Sequence, residues 1–170
     1  LMVAVGVGLL VDRGQTGWDE PWTWGGRTRE VIQWADGMIT ESRNDDTSAL
    51  VALLHARGLI RAGGPNGTGA PEINHLHEAF AAFGLPTLRL ARTRANGGWL
   101  NRDGSGVGHL QMTAWDTVRL MWLLLPAVMA DCPRPPWLPA SAPPLLAPAT
   151  AARIWQLMDD QALHDVLSSS

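Results

Sequence analysis

The chain has 170 residues, of which 46% are hydrophobic and 17% charged, enough for one compact domain with a core. A net charge of −3 provides no broad basic field for binding nucleic acid or an anionic membrane, so we expect neither partner. The single cysteine, Cys132, excludes an internal disulfide and a cysteine-based zinc site.

All thirteen basic residues are arginine, and lysine and tyrosine are absent. Any mechanism that needs a lysine therefore cannot be completed by this chain alone. The apolar run that begins at Leu1 has no capping residue, no preceding positive segment and no cleavage site of a signal peptide. It is also much shorter than the roughly twenty residues that span a bilayer. We expect a core helix cut at its start, in a fragment truncated at both ends.

Hydrophobic spacing predicts a mainly α-helical chain without strands or internal repeats. Thr28, Thr113 and Thr150 are the predicted N-terminal caps of the second, fifth and sixth helices. Gly14 and Gly58 are the predicted stops of the first and third. The predicted helices cover residues 1–13, 29–40, 45–57, 72–84, 114–129 and 151–167.

Two stretches between the helices are predicted to be irregular. Residues 15–27, rich in glycine and tryptophan, are expected to form a loop, and no role is evident for its three tryptophans. Residues 85–112 are too long for a simple connector. Four other tryptophans fall on helical core faces, which favours packing over a sugar-stacking surface: Trp34, Trp115, Trp122 and Trp155.

No cofactor or metal is expected. Residues 101–106 imitate the start of a calcium loop, but Met112 occupies the position where a bidentate glutamate is needed. His75 and His77 are two residues apart on a predicted helix and point in nearly opposite directions, so they cannot share a metal ion. Gly6 and Gly8 lie inside a helix without a preceding strand, which indicates a packing feature.

The junction between the second and third helices has the sequence MITESRNDDTS, residues 38–48. Its short polar side chains allow two interpretations. Ser42, Asn44 or Asp45 could cap the third helix, as these residue types commonly do. Alternatively, the Ser-x-Asn step formed by Ser42 and Asn44 is part of a catalytic site.

The order of these segments resembles the helical lobe of class A β-lactamases and related penicillin-recognising serine hydrolases. The quoted motifs are the buried first helix, the Ser-Arg-Asn step at 42–44, the long loop containing RTRAN at 92–96, and the helix that opens with MTAWDT at 112–117. The family signature is S-x-x-K, S-D-N and K-T-G, of which one is partly matched here. The resemblance implies that residues 1–170 are the helical lobe of a single catalytic domain whose antiparallel sheet is missing from this fragment.

The resemblance also implies roles for four residues. Ser42 would pass a proton to the leaving nitrogen, and Asn44 would hold the substrate's acyl-amide carbonyl. Asn96 matches an asparagine of the family's Ω-loop, but Arg92 stands where class A enzymes have the glutamate that activates the deacylating water. A positioned general base is worth about 10²–10⁴-fold in rate, so hydrolysis of an acyl-enzyme would be slow unless Asp103 or a residue outside the fragment substitutes.

The remaining expectations also come from the family. The nucleophilic Ser-x-x-Lys would directly precede Leu1, and Lys-Thr-Gly would follow Ser170. The partner would be a small-molecule β-lactam or a peptidoglycan-like peptide, bound by an extracytoplasmic monomer. Two alternatives stay open: a catalytically impaired relative that binds penicillin or cell-wall material, and an independent all-helical ligand-binding module.

Overall fold

The computed structural model describes residues 1–63, 71–99 and 109–161. This part of the chain is an α/β structure that contains six α-helices and three two-stranded antiparallel ladders. The helices are α1 (Met2–Asp12), α2 (Val31–Ile39), α3 (Asn44–Ala56), α4 (His75–Ala82), α5 (Ala114–Leu124) and α6 (Pro148–Asp159). The ladders pair β1 (Pro21–Trp24) with β2 (Arg27–Glu30), β3 (Ile60–Arg61) with β4 (Ile73–Asn74), and β5 (Arg89–Ala91) with β6 (His109–Gln111).

Helix α1 lies at the centre of the structure, and every residue from Met2 to Leu10 is buried. Its two glycines permit close packing against neighbouring helices. A Cβ at Gly6 would lie 3.1 Å from a methyl carbon of Leu54 in α3, and one at Gly8 would lie 2.9 Å from Thr150 in α6. The predicted packing role of these glycines is therefore confirmed.

The six predicted helices are all present, although several boundaries differ. Gly14 and Gly58 follow α1 and α3 with φ of +64° and +72°, the left-handed conformation that ends many helices. Thr113 caps α5 as predicted, because its hydroxyl accepts a hydrogen bond from the Asp116 amide. The sixth helix ends at Asp159, so residues 160 and 161 of its predicted range are not helical, and residues 162–167 lie outside the described residues.

Two predicted caps are wrong. Helix α2 begins after Glu30, which forms a reciprocal capping box with Gln33, whereas Thr28 lies in β2 and its hydroxyl bonds that of Thr23. Helix α6 begins two residues before Thr150, at Pro148. The Thr150 hydroxyl instead donates to the carboxylate of Asp12, so it ties α6 to the end of α1.

The expectation of a chain without strands is also wrong, and the first ladder shows why. Gly25 and Gly26 adopt φ of +58° and +76°, so they form a two-residue turn that matches the twist of an antiparallel hairpin. The glycines that suggested a loop are thus the turn of a hairpin. Residue pairing runs from Pro21 opposite Glu30 to Trp24 opposite Arg27.

The tryptophans of this hairpin attach it to the helices. The Trp22 indole N–H donates to the Ala49 carbonyl of α3 at 2.9 Å, and the indole of Trp34 in α2 donates to the Trp22 carbonyl at 3.0 Å. Trp24 packs edge-on against Trp34, with ring centroids 6.5 Å apart. Buried indoles require such hydrogen-bond partners, so the hairpin is a structural connection between α2 and α3.

Only one of the four predicted core tryptophans is fully buried. Trp34 has no exposed surface, while Trp122 and Trp155 are half-buried. Trp115 is 65% exposed, so its predicted place in the core is wrong. The helical spacing that placed it there does not distinguish a core face from an apolar face that no other element covers.

The turn at residues 94–97 should depend on Gly97 for its contact with α3. Gly97 has φ of +84°, and a Cβ there would lie 2.0 Å from the Ser48 carbonyl oxygen. We expect Gly97→Ala to destabilise the fold by about 2 kcal/mol more than Gly14→Ala, measured by urea unfolding. Gly14 is the matched control because it also has positive φ but no atom within 4 Å of the added methyl. Equal losses would show that the turn does not pack on α3.

Candidate active site

The helix junction does not use the predicted caps. Helix α2 ends at Ile39, and α3 begins at Asn44 with Arg43 in the capping position and no side-chain capping bond. Neither Ser42, Asn44 nor Asp45 serves as the N-terminal cap of α3. The capping interpretation of this polar stretch is therefore wrong, and its side chains need another explanation.

Ser42 has an unusual backbone conformation. Its φ is +55°, a left-handed value that an L-residue other than glycine, asparagine or aspartate seldom adopts. The turn is closed by a hydrogen bond from the Arg43 amide to the Gly37 carbonyl at 3.0 Å. Backbone strain of this kind costs on the order of 1–3 kcal/mol and concentrates at functional sites.

Ser42 and Asn44 line one cavity of about 310 Å³ at the start of α1. Of its twelve described lining residues, eight are apolar and none has a charged side chain. Three belong to the beginning of α1, at residues 1–3. Most of the apolar lining comes from separate segments that no sequence pattern groups together: Met38, Leu88, Trp99, Met112 and Leu120.

The four polar residues of the cavity differ in whether their side chains are already bonded. The Thr47 hydroxyl donates to the Arg43 carbonyl, and the Thr117 hydroxyl donates to the Thr113 carbonyl. Within the described part of the chain, the side chains of Ser42 and Asn44 form no hydrogen bond. Both are exposed, so they remain available to a ligand in the cavity.

This set of groups can bind but cannot supply a base. A hydroxyl and a carboxamide can donate to and accept from a carbonyl or an amide nitrogen. No histidine or carboxylate is found among the described lining residues, so nothing there can deprotonate the Ser42 hydroxyl. Nucleophilic catalysis in this cavity therefore requires groups that lie outside the described residues.

A buried carboxylate fixes the beginning of α3 beside this cavity. Asp46 is only 1% exposed, and its Oδ2 lies 3.5 Å from Arg29 Nη1 and 4.0 Å from Arg43 Nη1. A Cβ at Gly37 would lie 1.8 Å from that same oxygen, so α2 can approach Asp46 only because residue 37 is glycine. The contact holds the ends of α2 and α3 together on either side of Ser42.

Arg92 and Asn96 do not join Ser42 and Asn44. Both are exposed and neither is among the described residues that line the cavity, so the roles that the resemblance implies for them stay predictions. The Asn96 side chain accepts a hydrogen bond from the Gly98 amide at 3.0 Å. The backbone carbonyl of Asn96 accepts one from the Trp24 indole at 2.8 Å. Trp99, from the same segment, does reach the cavity. Asp103 and the calcium-like stretch at 101–106 lie outside the described residues.

The histidines have individual structural contacts. His55 Nε2 bonds the Thr93 hydroxyl at 2.8 Å, and burial lowers the pKa of this imidazole from its ordinary value. His75 bonds Glu78, whereas His77 bonds the Leu88 carbonyl, so they do not share a ligand. Residues 1–63, 71–99 and 109–161 contain no group of three or more histidine, cysteine, aspartate or glutamate side chains that could hold a metal.

The chain was compared with protein families, curated proteins and solved structures. No family model matches the chain, and no curated protein or solved structure does so. In the described ranges, no helix has the length and apolar character that crossing a membrane would need.

The half-buried His55 should make stability depend on pH. Folding lowers the pKa of His55 from its ordinary value of 6.5. At pH values just below 6.5 the unfolded chain therefore binds more protons than the folded chain. Stability should be complete above about pH 6.5 and fall as the pH drops toward the lower, folded-state pKa. Urea unfolding at a series of pH values should show this fall in the wild type and a shallower one in His55→Gln. His75→Gln controls for loss of an exposed histidine. An unchanged slope in His55→Gln would assign the pH dependence to other groups.

Proposed function

We propose that the chain is the helical lobe of a class A β-lactamase-like serine hydrolase that acts by acyl transfer on β-lactams or related cell-wall peptides. One observation carries the proposal. Among the described residues, the two polar side chains of the cavity at the start of α1 that form no hydrogen bond are Ser42 and Asn44, the two residues that match the family's middle motif. The absence of a helix-capping role for either residue adds support.

The roles assigned to them fit their chemistry. Asn44 can donate an amide N–H to the substrate's acyl-amide carbonyl and so orient it in the cavity. Ser42 can accept a proton from the attacking group and donate one to the leaving nitrogen, because a hydroxyl does both. Each role needs a side chain that has no competing hydrogen bond. In the described part of the chain, neither the Ser42 nor the Asn44 side chain has one.

The proposal requires a nucleophile and a base from outside the described residues. A Ser-x-x-Lys directly before Leu1 would place both next to the cavity, because residues 1–3 already line it. A Lys-Thr-Gly strand beyond Ser170 would supply part of the opposite wall. An extracytoplasmic, monomeric protein is part of the same proposal, since both properties come from the family.

A second candidate is a relative that acylates and then fails to turn over. Two observations favour it over an efficient lactamase. Arg92 occupies the sequence position of the deacylating glutamate and does not line the cavity. No carboxylate is among the described residues that do line it. Loss of such a base is worth about 10²–10⁴-fold in the hydrolysis step, which would leave a long-lived acyl-enzyme.

The test incubates the full-length protein that contains this chain with a chromogenic β-lactam. The mass of the protein is then measured by mass spectrometry. A lactamase should turn over many substrate molecules, whereas a slow acylating protein should form one stable adduct. We expect Ser42→Ala and Asn44→Ala each to lower the acylation rate about 10²-fold or more, since each removes a group that contacts the reacting amide.

Thr117→Val is the matched control, because it removes a cavity hydroxyl that is already bonded to the Thr113 carbonyl. This variant should acylate at nearly the wild-type rate. If both alanine variants acylate at the wild-type rate, the roles proposed for Ser42 and Asn44 are wrong. Absence of both turnover and adduct in the wild-type protein would remove the hydrolase proposal as a whole.

A further inference from the structure

The cavity that Ser42 lines has an apolar wall, which takes no part in the proposed proton relay. The wall consists of side chains from separate segments of the chain: Met38, Leu88, Trp99, Met112 and Leu120. Leu88 and Leu120 are buried in the core, whereas Trp99 is half-buried and Met112 is 51% exposed. Trp99 and Met112 are therefore the wall residues that a ligand can contact over the largest area.

Trp99 is held in place by the helix that carries Asn44. A tight turn precedes it, closed by a hydrogen bond from the Gly97 amide to the Arg94 carbonyl at 2.9 Å. Gly97 packs so closely on α3 that a Cβ there would lie 2.0 Å from the Ser48 carbonyl oxygen. Ser48 follows Asn44 by about one helical turn, so this contact fixes the position of Trp99 relative to Asn44.

A separate hydrogen-bond network fixes Met112 and Leu88. Thr113 follows Met112 and Thr87 precedes Leu88, and the two threonine hydroxyls are hydrogen-bonded to each other at 2.9 Å. The buried Asp116 carboxylate accepts hydrogen bonds from the Thr87 amide at 2.9 Å and from the Thr87 hydroxyl at 2.6 Å. The apolar wall is thus held in shape before a ligand binds, which lowers the entropic cost of binding.

We propose that the apolar wall binds an uncharged, apolar acyl side chain of the substrate, and that Trp99 and Met112 select it. This inference rests on the proposed acyl-transfer function, in which Asn44 binds the acyl-amide carbonyl. The acyl side chain is attached to that carbonyl carbon, so it enters the same cavity. No charged side chain is among the described lining residues, and a charged group placed there would lose water without gaining a partner. An aryl side chain can also stack on the Trp99 indole.

The experiment compares penicillins that share one ring nucleus and differ only in the acyl side chain, which is phenylacetyl, α-aminophenylacetyl or α-carboxyphenylacetyl. The second-order rate constant for acylation of the full-length protein that contains this chain is measured with each, as kcat/KM where the protein turns over. We expect the phenylacetyl compound to react at least about tenfold faster than either charged compound, because neither charge finds a partner in the described lining.

Substitutions in the wall test which residues cause this preference. Trp99→Ala should lower the ratio of the phenylacetyl to the α-carboxyphenylacetyl rate constant by about tenfold, and Trp99→Phe, which keeps an aromatic face, should retain most of it. Met112→Arg should raise the rate constant of the α-carboxyphenylacetyl compound, because a guanidinium can pair with its carboxylate. Met112 is exposed, so this variant should fold.

Trp115→Ala is the matched control, since Trp115 is 65% exposed and is not among the described lining residues of the cavity. It should leave the ratio unchanged. Equal rate constants for the neutral and charged compounds would overturn the selection by the apolar wall and leave acyl transfer intact. The same holds if neither Trp99→Ala nor Met112→Arg changes the ratio. If none of the compounds acylates the protein, the proposed function is wrong and the selection falls with it.

Discussion

The structure depends on the close approach of α1 to its neighbours, which is possible because Gly6 and Gly8 carry no side chain. With a Cβ at either position only 2.9–3.1 Å from the facing helix, larger residues would push α3 or α6 outward. Because α1 is buried along nearly its whole length, it sets the positions of α3 and α6. Its first residues then lie beside the Ser42 junction, and the cavity between them follows from this packing.

A second set of contacts keeps the junction itself in shape. The buried Asp46 carboxylate lies between α2 and the arginines at 29 and 43, and the hairpin tryptophans connect both helices. Burying a carboxylate is costly unless cations compensate it, and the two arginines, at 3.5 and 4.0 Å, are the cations that lie beside Asp46 in the described residues. The positive φ of Ser42 can persist because the elements on both sides of it are held independently.

The sequence predicted the helices well because their apolar spacing is long and they are mostly buried, as in α1 and α3. It failed at short elements, where one feature has two meanings. Gly25 and Gly26 suit both a loop and a hairpin turn, and a threonine such as Thr150 can cap its own helix or bond a distant carboxylate such as Asp12. For the site, the sequence brought forward Ser42 and Asn44, which line one cavity, whereas Arg92 and Asn96 are not among its described lining residues. It could not foresee the apolar lining, because distant segments meet there only through tertiary packing.

The chemical content of the cavity limits what these residues can do. A site whose only free polar groups are a hydroxyl and a carboxamide can orient a carbonyl and relay a proton, but it cannot generate a nucleophile. Such a site is either a binding pocket or one half of a divided active site. The left-handed φ of Ser42 does not decide between them, because Arg92 has the same φ of +55° and is not among the described lining residues of the cavity. Proton transfer depends on holding the hydroxyl oxygen within hydrogen-bond reach of both the donor and the acceptor, so the positions of those two groups, and not the backbone conformation of residue 42, separate a catalytic hydroxyl from a binding one.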